Sequence, residues 1–283
     1  MENQSREHNK PHFDSCTEIE STIHTTNSQL EIWTDCLIGS SDANKAYNLS
    51  YSIKFTGKLM FEALEHALNT LVQRHECLRA SFSPDGIYMN IFKDLKIEIS
   101  HSTISQLTED EKEKEKEKDI EIIVSEEVNS LFDLVNGPLF KIKLIKIDDL
   151  ENILILTHHH IIGDSLSINI IVEELSILYT AFVENTVPKL TNTARFSEYA
   201  KKVNSFIESS EYKKIEDYWL AIYKESVPVI ELPIDYPRPP LRAYNSQRLD
   251  FTIDANLTNS LKELADSTGC SLTTTFLVAF EVF

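Results

Sequence analysis

The segment Asn152-Ile153-Leu154-Ile155-Leu156-Thr157 runs straight into His158-His159-His160, and no other stretch constrains the fold as much. Its nearly unbroken apolar character reads as a β-strand covered on both faces. Beyond the histidines, Ile168, Ile171, Leu175, Leu178 and Phe182 recur at helical spacing, with Asp164 or Ser165 placed to cap the helix start. The three histidines therefore stand where a central strand ends and a helix begins. Open α/β sheets put their sites there, because backbone groups and helix termini converge around a cleft.

The flanking pattern is of the same class. Tyr47, Leu49, Tyr51, Ile53 and Phe55 alternate with polar residues as a half-buried strand, which Gly57 ends. Leu64, Ala67, Leu68, Leu71 and Val72 form one helix face, and a second apolar segment follows at Leu78 to Phe82, giving strand, helix, strand. Thr108 and Glu111 form a capping box that opens a long helix to Phe132, with mixed-sign charges from Glu111 to Lys118 on a solvated face. Leu139 to Ile147 reads as a further strand, closed by the Asp148-Asp149 turn. Residues 1–25 are polar and aperiodic, and His8, His12 and His24 there read as part of a flexible tail.

Composition removes several function classes. With 27 Lys and Arg against 45 Asp and Glu, the chain carries a net charge of −18, a field that repels phosphate backbones and anionic lipid. Nucleic acid and membrane are therefore not expected partners. No uncharged apolar run reaches membrane-span length and the first residues are too polar for a signal peptide, so a cytoplasmic protein is expected. Cys16, Cys36, Cys77 and Cys270 are scattered without a Cys-x-x-Cys pair and read as free thiols.

At the histidine junction, strand alternation would put His158 and His160 on one face and His159 on the other, so at most two address one site. An imidazole near neutrality takes or holds a proton, and Asp164 can orient that ring or anchor the turn. A three-ligand metal site of His158, His160 and Asp164 is one alternative; no other His or Cys cluster supports it. Polar closure of a buried strand end is the other.

His159-His160-Ile161-Ile162-Gly163-Asp164-Ser165 resembles the His-His-x-x-x-Asp-Gly signature of nonribosomal peptide synthetase condensation domains, shared with a wider chloramphenicol acetyltransferase-like superfamily. Arg74-His75-Glu76-Cys77-Leu78-Arg79-Ala80-Ser81-Phe82 resembles a second motif of those domains, and Thr26 to Trp33 resembles their opening Ser-x-Ala-Gln-x-Arg-Leu-Trp. Phe132-Asp133-Leu134 with Gly137-Pro138-Leu139, Phe196 to Ala200, Tyr218-Trp219-Leu220 and Leu232 to Pro239 follow in the same order. The resemblance covers about residues 26–283.

The resemblance implies an α/β, chloramphenicol acetyltransferase-like fold of two lobes meeting at the active site: residues 26–205 the first lobe, residues 206–283 the crossover and start of a second, truncated lobe. It implies amide-bond formation between aminoacyl or peptidyl thioesters held on phosphopantetheine arms. The partners are then carrier proteins and other synthetase modules, and no cofactor or metal is bound directly. It implies His160 as the active-site residue, His159 as a support, and Asp164 facing away from substrate to pair with Arg74 or Arg79. Two departures stand out. Ser165 replaces the motif glycine, where positive φ or close approach would exclude a side chain, and Glu31 replaces an arginine. The apolar stripe Leu277, Phe280 and Phe283 at the end of the chain calls for a partner. Truncation is expected to impair catalysis, leaving a carrier-binding or dimerising fragment, or an acyltransferase using coenzyme A thioesters, as alternatives.

Overall fold

The computed structural model describes residues 18–104, 112–229 and 231–282, apart from 232, 241, 245, 247 and 248. The Thr108/Glu111 capping box, His8, His12, Cys16, Leu232 and Phe283 lie outside these residues. Two compact units are present, a larger one ending at Tyr244 and a smaller one from Asn245 to Phe283.

The larger unit begins with β1 (Ile19–His24) and α1 (Asn27–Ala46), a helix broken at Ser40 by a positive φ of 53°. Six residues of the expected tail are thus a strand, since β1 pairs antiparallel with β4 (Tyr88–Phe92), which also pairs with β3 (Ala80–Phe82). A second sheet has the order β2-β7-β6-β5, from β2 (Asn48–Thr56), β5 (Ile99–Thr103), β6 (Phe140–Lys146) and β7 (Glu151–His159). All its pairs are antiparallel except β5 with β6.

β7 has β2 on one side and β6 on the other, and helices cover both its faces. Leu154 and Leu156 point into the main core with α2 (Phe61–Arg74) and α4 (Ser165–Val183), while Ile153 and Ile155 meet Ile120, Ile123 and Val124 of α3 (Lys112–Val128). This double cover is why the strand is apolar at successive positions rather than alternate ones. The expected faces of α2 and α4 are the ones buried: Leu64, Leu68 and Leu71 on the first, Ile168, Ile171, Leu175 and Leu178 on the second. Each such side chain contributes about 2 kcal/mol on burial. Phe182 departs from the stripe and lies exposed near His66. Among the described residues α4 alone is long and apolar enough to cross a bilayer, and its buried face packs on α2.

The chain continues into α5 (Phe196–Ile207) and α6 (Ser210–Ile222). The smaller unit holds α7 (Ala255–Thr268), capped by Asp254 and ended by left-handed Gly269, and α8 (Leu272–Val282). Leu277 and Phe280 of α8 are exposed.

Candidate active site

The end of β7 is fixed from both neighbouring strands. The His159 backbone N–H donates to the Leu139 carbonyl at 3.0 Å, and the His160 N–H donates to the Tyr47 carbonyl at 2.8 Å. The chain then turns, with the Ile162 N–H on the His159 carbonyl at 3.1 Å and both Ile161 and Ile162 buried. Two apolar residues driven into the core after His160 pull the turn inward and leave His160 at its crest. Gln29 of α1 pins the same turn by donating Nε2 to the Ile161 carbonyl at 3.1 Å.

The three imidazoles have different environments. His158 is 1% exposed, stacks on Tyr51 with ring centroids 6.4 Å apart, and lies against the Gly163 backbone. Burial, partly offset by the Gly163 backbone, pulls its pKa down to about 4. His159 is wholly buried among Tyr47, Phe132 and Cys36. Its pKa falls to about 3, first through burial and then through its histidine neighbours. The Ile161 N–H donates to His159 Nδ1 at 3.2 Å, which places the ring proton on Nε2, facing the Cys36 sulfur at 3.8 Å. His160 is exposed. Strand geometry stops at His159, so alternation does not carry His160 onto the face of His158; instead its ring lies 6.4 Å edge-on from Tyr47, which also contacts His159.

Asp164 is the N-cap of α4. Its Oδ1 accepts from the N–H groups of Leu166 at 3.0 Å and Ser167 at 2.9 Å, and the Ser167 hydroxyl donates to it as well. The Ser167 bonds, ahead of the other causes, hold its carboxyl below the ordinary range. The expected pairing of Asp164 with Arg74 or Arg79 is corrected by this geometry. Arg74 grips Glu174 of α4 through Nε and Nη2, both at 3.0 Å, while His75 Nε2 meets the same carboxylate at 2.8 Å. Arg79 is buried against Glu20 of β1 and the Phe92 carbonyl. The arginines face carboxylates on elements packed beside them, whereas the oxygen of Asp164 is taken by the start of its own helix.

The position of Ser165 is ordinary. It is exposed, opens α4, and is not among the residues with positive φ. The close approach falls instead at Gly163, where a Cβ would come within 3.1 Å of His158 Nε2. Among the described residues no three His, Cys, Asp or Glu side chains form a group able to hold a metal ion, so His158, His160 and Asp164 do not assemble as ligands.

Two residues that hold the turn carry no chemical signature in the sequence: Gln29 lies inside the Thr26 to Trp33 motif, and Tyr47 falls in the period-2 pattern of a strand. Cys36, Asn44 and Phe132 separate His159 from a cleft of about 620 Å³ that Trp33, Pro138 and Lys141 also line. His160 is not among its walls.

A family model for the condensation domain matches residues 20–283. This chain belongs to the condensation-domain family. The condensation-domain chain is 33% identical over 239 residues to bacitracin synthase 3 of Bacillus licheniformis, an alignment covering 84% of this chain and 4% of that protein. It is 34% identical over 244 residues to surfactin synthase subunit 1 of Bacillus subtilis (strain 168), covering 86% of this chain and 6% of the relative. The solved X-domain from teicoplanin biosynthesis superposes with a TM-score of 0.72 at 22% identity, over 88% of this chain and 53% of that one. The condensation-domain chain thus spans a small part of the synthases it matches and about half of that structure. Its α/β fold is of the chloramphenicol acetyltransferase-like kind found in condensation domains.

Proposed function

We propose that the turn carrying His160 serves amide-bond formation between two thioesters held on the phosphopantetheine arms of carrier proteins. The acceptor amine attacks the donor thioester carbonyl and a C–N bond forms. The tetrahedral intermediate then collapses with cleavage of the C–S bond. The amine loses one proton and the departing thiolate gains one, so charge balances without a cofactor. His160 touches the reacting amine, positioning it or holding its proton in transit. His159 supports the turn from below, and Asp164 fixes where α4 begins.

The observation that carries this reading is the contrast within the trio: His158 and His159 are buried and pushed toward neutrality, while His160 alone is open to a substrate. In this reading residues 26–205 form the first lobe and 206–283 the crossover and beginning of the second. Peptidyl and aminoacyl carrier proteins and neighbouring synthetase modules are its partners, and its place is cytoplasmic.

The test mixes the chain with loaded donor and acceptor carrier proteins and follows the acceptor by intact-protein mass spectrometry. A dipeptidyl thioester that fails to form with His160→Gln supports the reading. Product formed equally by the variant overturns it.

A second reading, a module that docks proteins without catalysis, is favoured by α6, which has no buried residue and exposes Tyr218, Trp219 and Leu220. No product from the wild-type chain, together with co-elution with a carrier protein on size exclusion, selects it.

A further inference from the structure

The carboxylate of Asp35, on α1, gathers three donors from two distant parts of the chain. Its Oδ2 accepts from the Tyr47 hydroxyl at 2.8 Å and from Arg242 Nη1 at 3.1 Å, and its Oδ1 accepts from the Tyr244 hydroxyl at 2.8 Å. Arg242 lies over the Tyr244 ring, 5.0 Å from its centroid. Tyr244 fits because residue 39 is glycine: a Cβ there would stand 2.6 Å from both the ring and the hydroxyl of Tyr244.

Tyr47 is held at both ends. Its phenol is fixed by Asp35, and its carbonyl receives the His160 N–H at 2.8 Å. Its ring also lies 5.9 Å from that of His159 and 6.4 Å from that of His160. Charge-assisted bonds to a carboxylate are short and directional, so a phenol held this way cannot turn independently of the acid that holds it. Any change in how residues 242–244 sit on α1 must alter Asp35, and through it Tyr47 and the crest of the turn.

We infer that Asp35 is a positioning residue, the junction through which the Arg242–Tyr244 segment sets the placement of the His160 imidazole. The functional meaning rests on the reading of His160 given above; the physical coupling does not. Asp35 touches no reacting atom and acts only through Tyr47.

The experiment labels histidine with ¹³C and ¹⁵N in the full chain and assigns the His160 Cε1–Hε1 peak by its loss in His160→Gln. Tyr244→Phe removes a single hydroxyl bonded to Asp35. The expected result is a shift of the His160 peak beyond its linewidth, with the peaks of His66 and His101 unmoved. In an Asp35→Asn background, or Tyr47→Phe should that protein fail to fold, Tyr244→Phe should add nothing. Gly39→Ala, whose Cβ would strike the Tyr244 ring and hydroxyl and also Ala43 of α1, should shift the same peak. A folded Tyr244→Phe protein whose His160 peak is unmoved overturns the inference. Peptide-bond formation that survives in His160→Gln would remove the catalytic reading while leaving the coupling intact, so the two failures are distinguishable.

Discussion

The backbone N–H of His160 meets the Tyr47 carbonyl at 2.8 Å, one step beyond the last β2–β7 pair, Asn48 with His159. The sheet thus holds the main chain of His160 while releasing its side chain. On the other side of the turn, Gln29 fastens Ile161. Gln29 is 5% exposed and its Oε1 also accepts from the Thr26 N–H at 3.1 Å. Replacing it with leucine strands two backbone groups, and Gln29→Leu is expected to lower stability by about 2 kcal/mol. Urea unfolding checks this as a drop in midpoint at constant m value.

Acid should unfold the protein through the two buried histidines. Burial holds His158 at about 4 and His159 at about 3, against an ordinary value of 6.5. The unfolded chain therefore binds protons that the folded chain refuses. Their contribution is complete above pH 6.5 and is lost as pH falls toward these depressed values, by about 1.4 kcal/mol per pH unit for each ring. Urea titrations at a series of pH values should show this slope, reduced by about half of the histidine share in His159→Gln. An unchanged slope in that variant would place the proton uptake elsewhere.

Arg74 should couple to Glu174 and not to Asp164. A double-mutant cycle of Arg74→Ala with Glu174→Ala is expected to give an interaction of about 1–3 kcal/mol, since the paired groups are largely buried. The cycle of Arg74→Ala with Asp164→Ala should be additive within about 0.5 kcal/mol. The reverse ordering would restore the pairing that the motif implied.

Two glycines are needed to different degrees. Gly86 has a φ of +73°, and a Cβ there would stand 2.3 Å from the Trp33 ring. Gly86→Ala combines backbone strain with a clash and should cost about 2 kcal/mol or more. Gly163 lacks the positive φ, and a Cβ there would press less closely, at 3.1 Å on the His158 ring and 3.3 Å on Ser167 Cβ, so Gly163→Ala should cost less, about 1 kcal/mol. Thermal unfolding of both variants checks the order.

The parts of the fold that showed in the sequence are those where burial writes a period. Leu64 to Val72 and Ile168 to Leu178 each bury one helix face, and Leu154 to Leu156 are covered on both sides, so apolar residues fall where the geometry demands. The edge strands β1 and β5 leave little such record, since both are mostly exposed and Ser100, His101, Ser102 and Thr103 look like loop. Helix α1 was hidden as a helix because Gly39, Ser40 and Ser41 interrupt its pattern at the break. At the site, the capping role of Asp164 was local and legible. The partners of Arg74 and Arg79 were not, since Glu174 and Glu20 lie 100 and 59 residues away and only packing brings them near.

Carbethoxylation of histidine by diethyl pyrocarbonate at neutral pH, mapped by peptide mass spectrometry over time, reads most directly whether one imidazole of the three is open. His160 should be modified far faster than His158 and His159, which stay protected until the protein is unfolded. Modification of His158 or His159 at the rate of His160, or protection of His160 in the folded chain, would contradict this contrast.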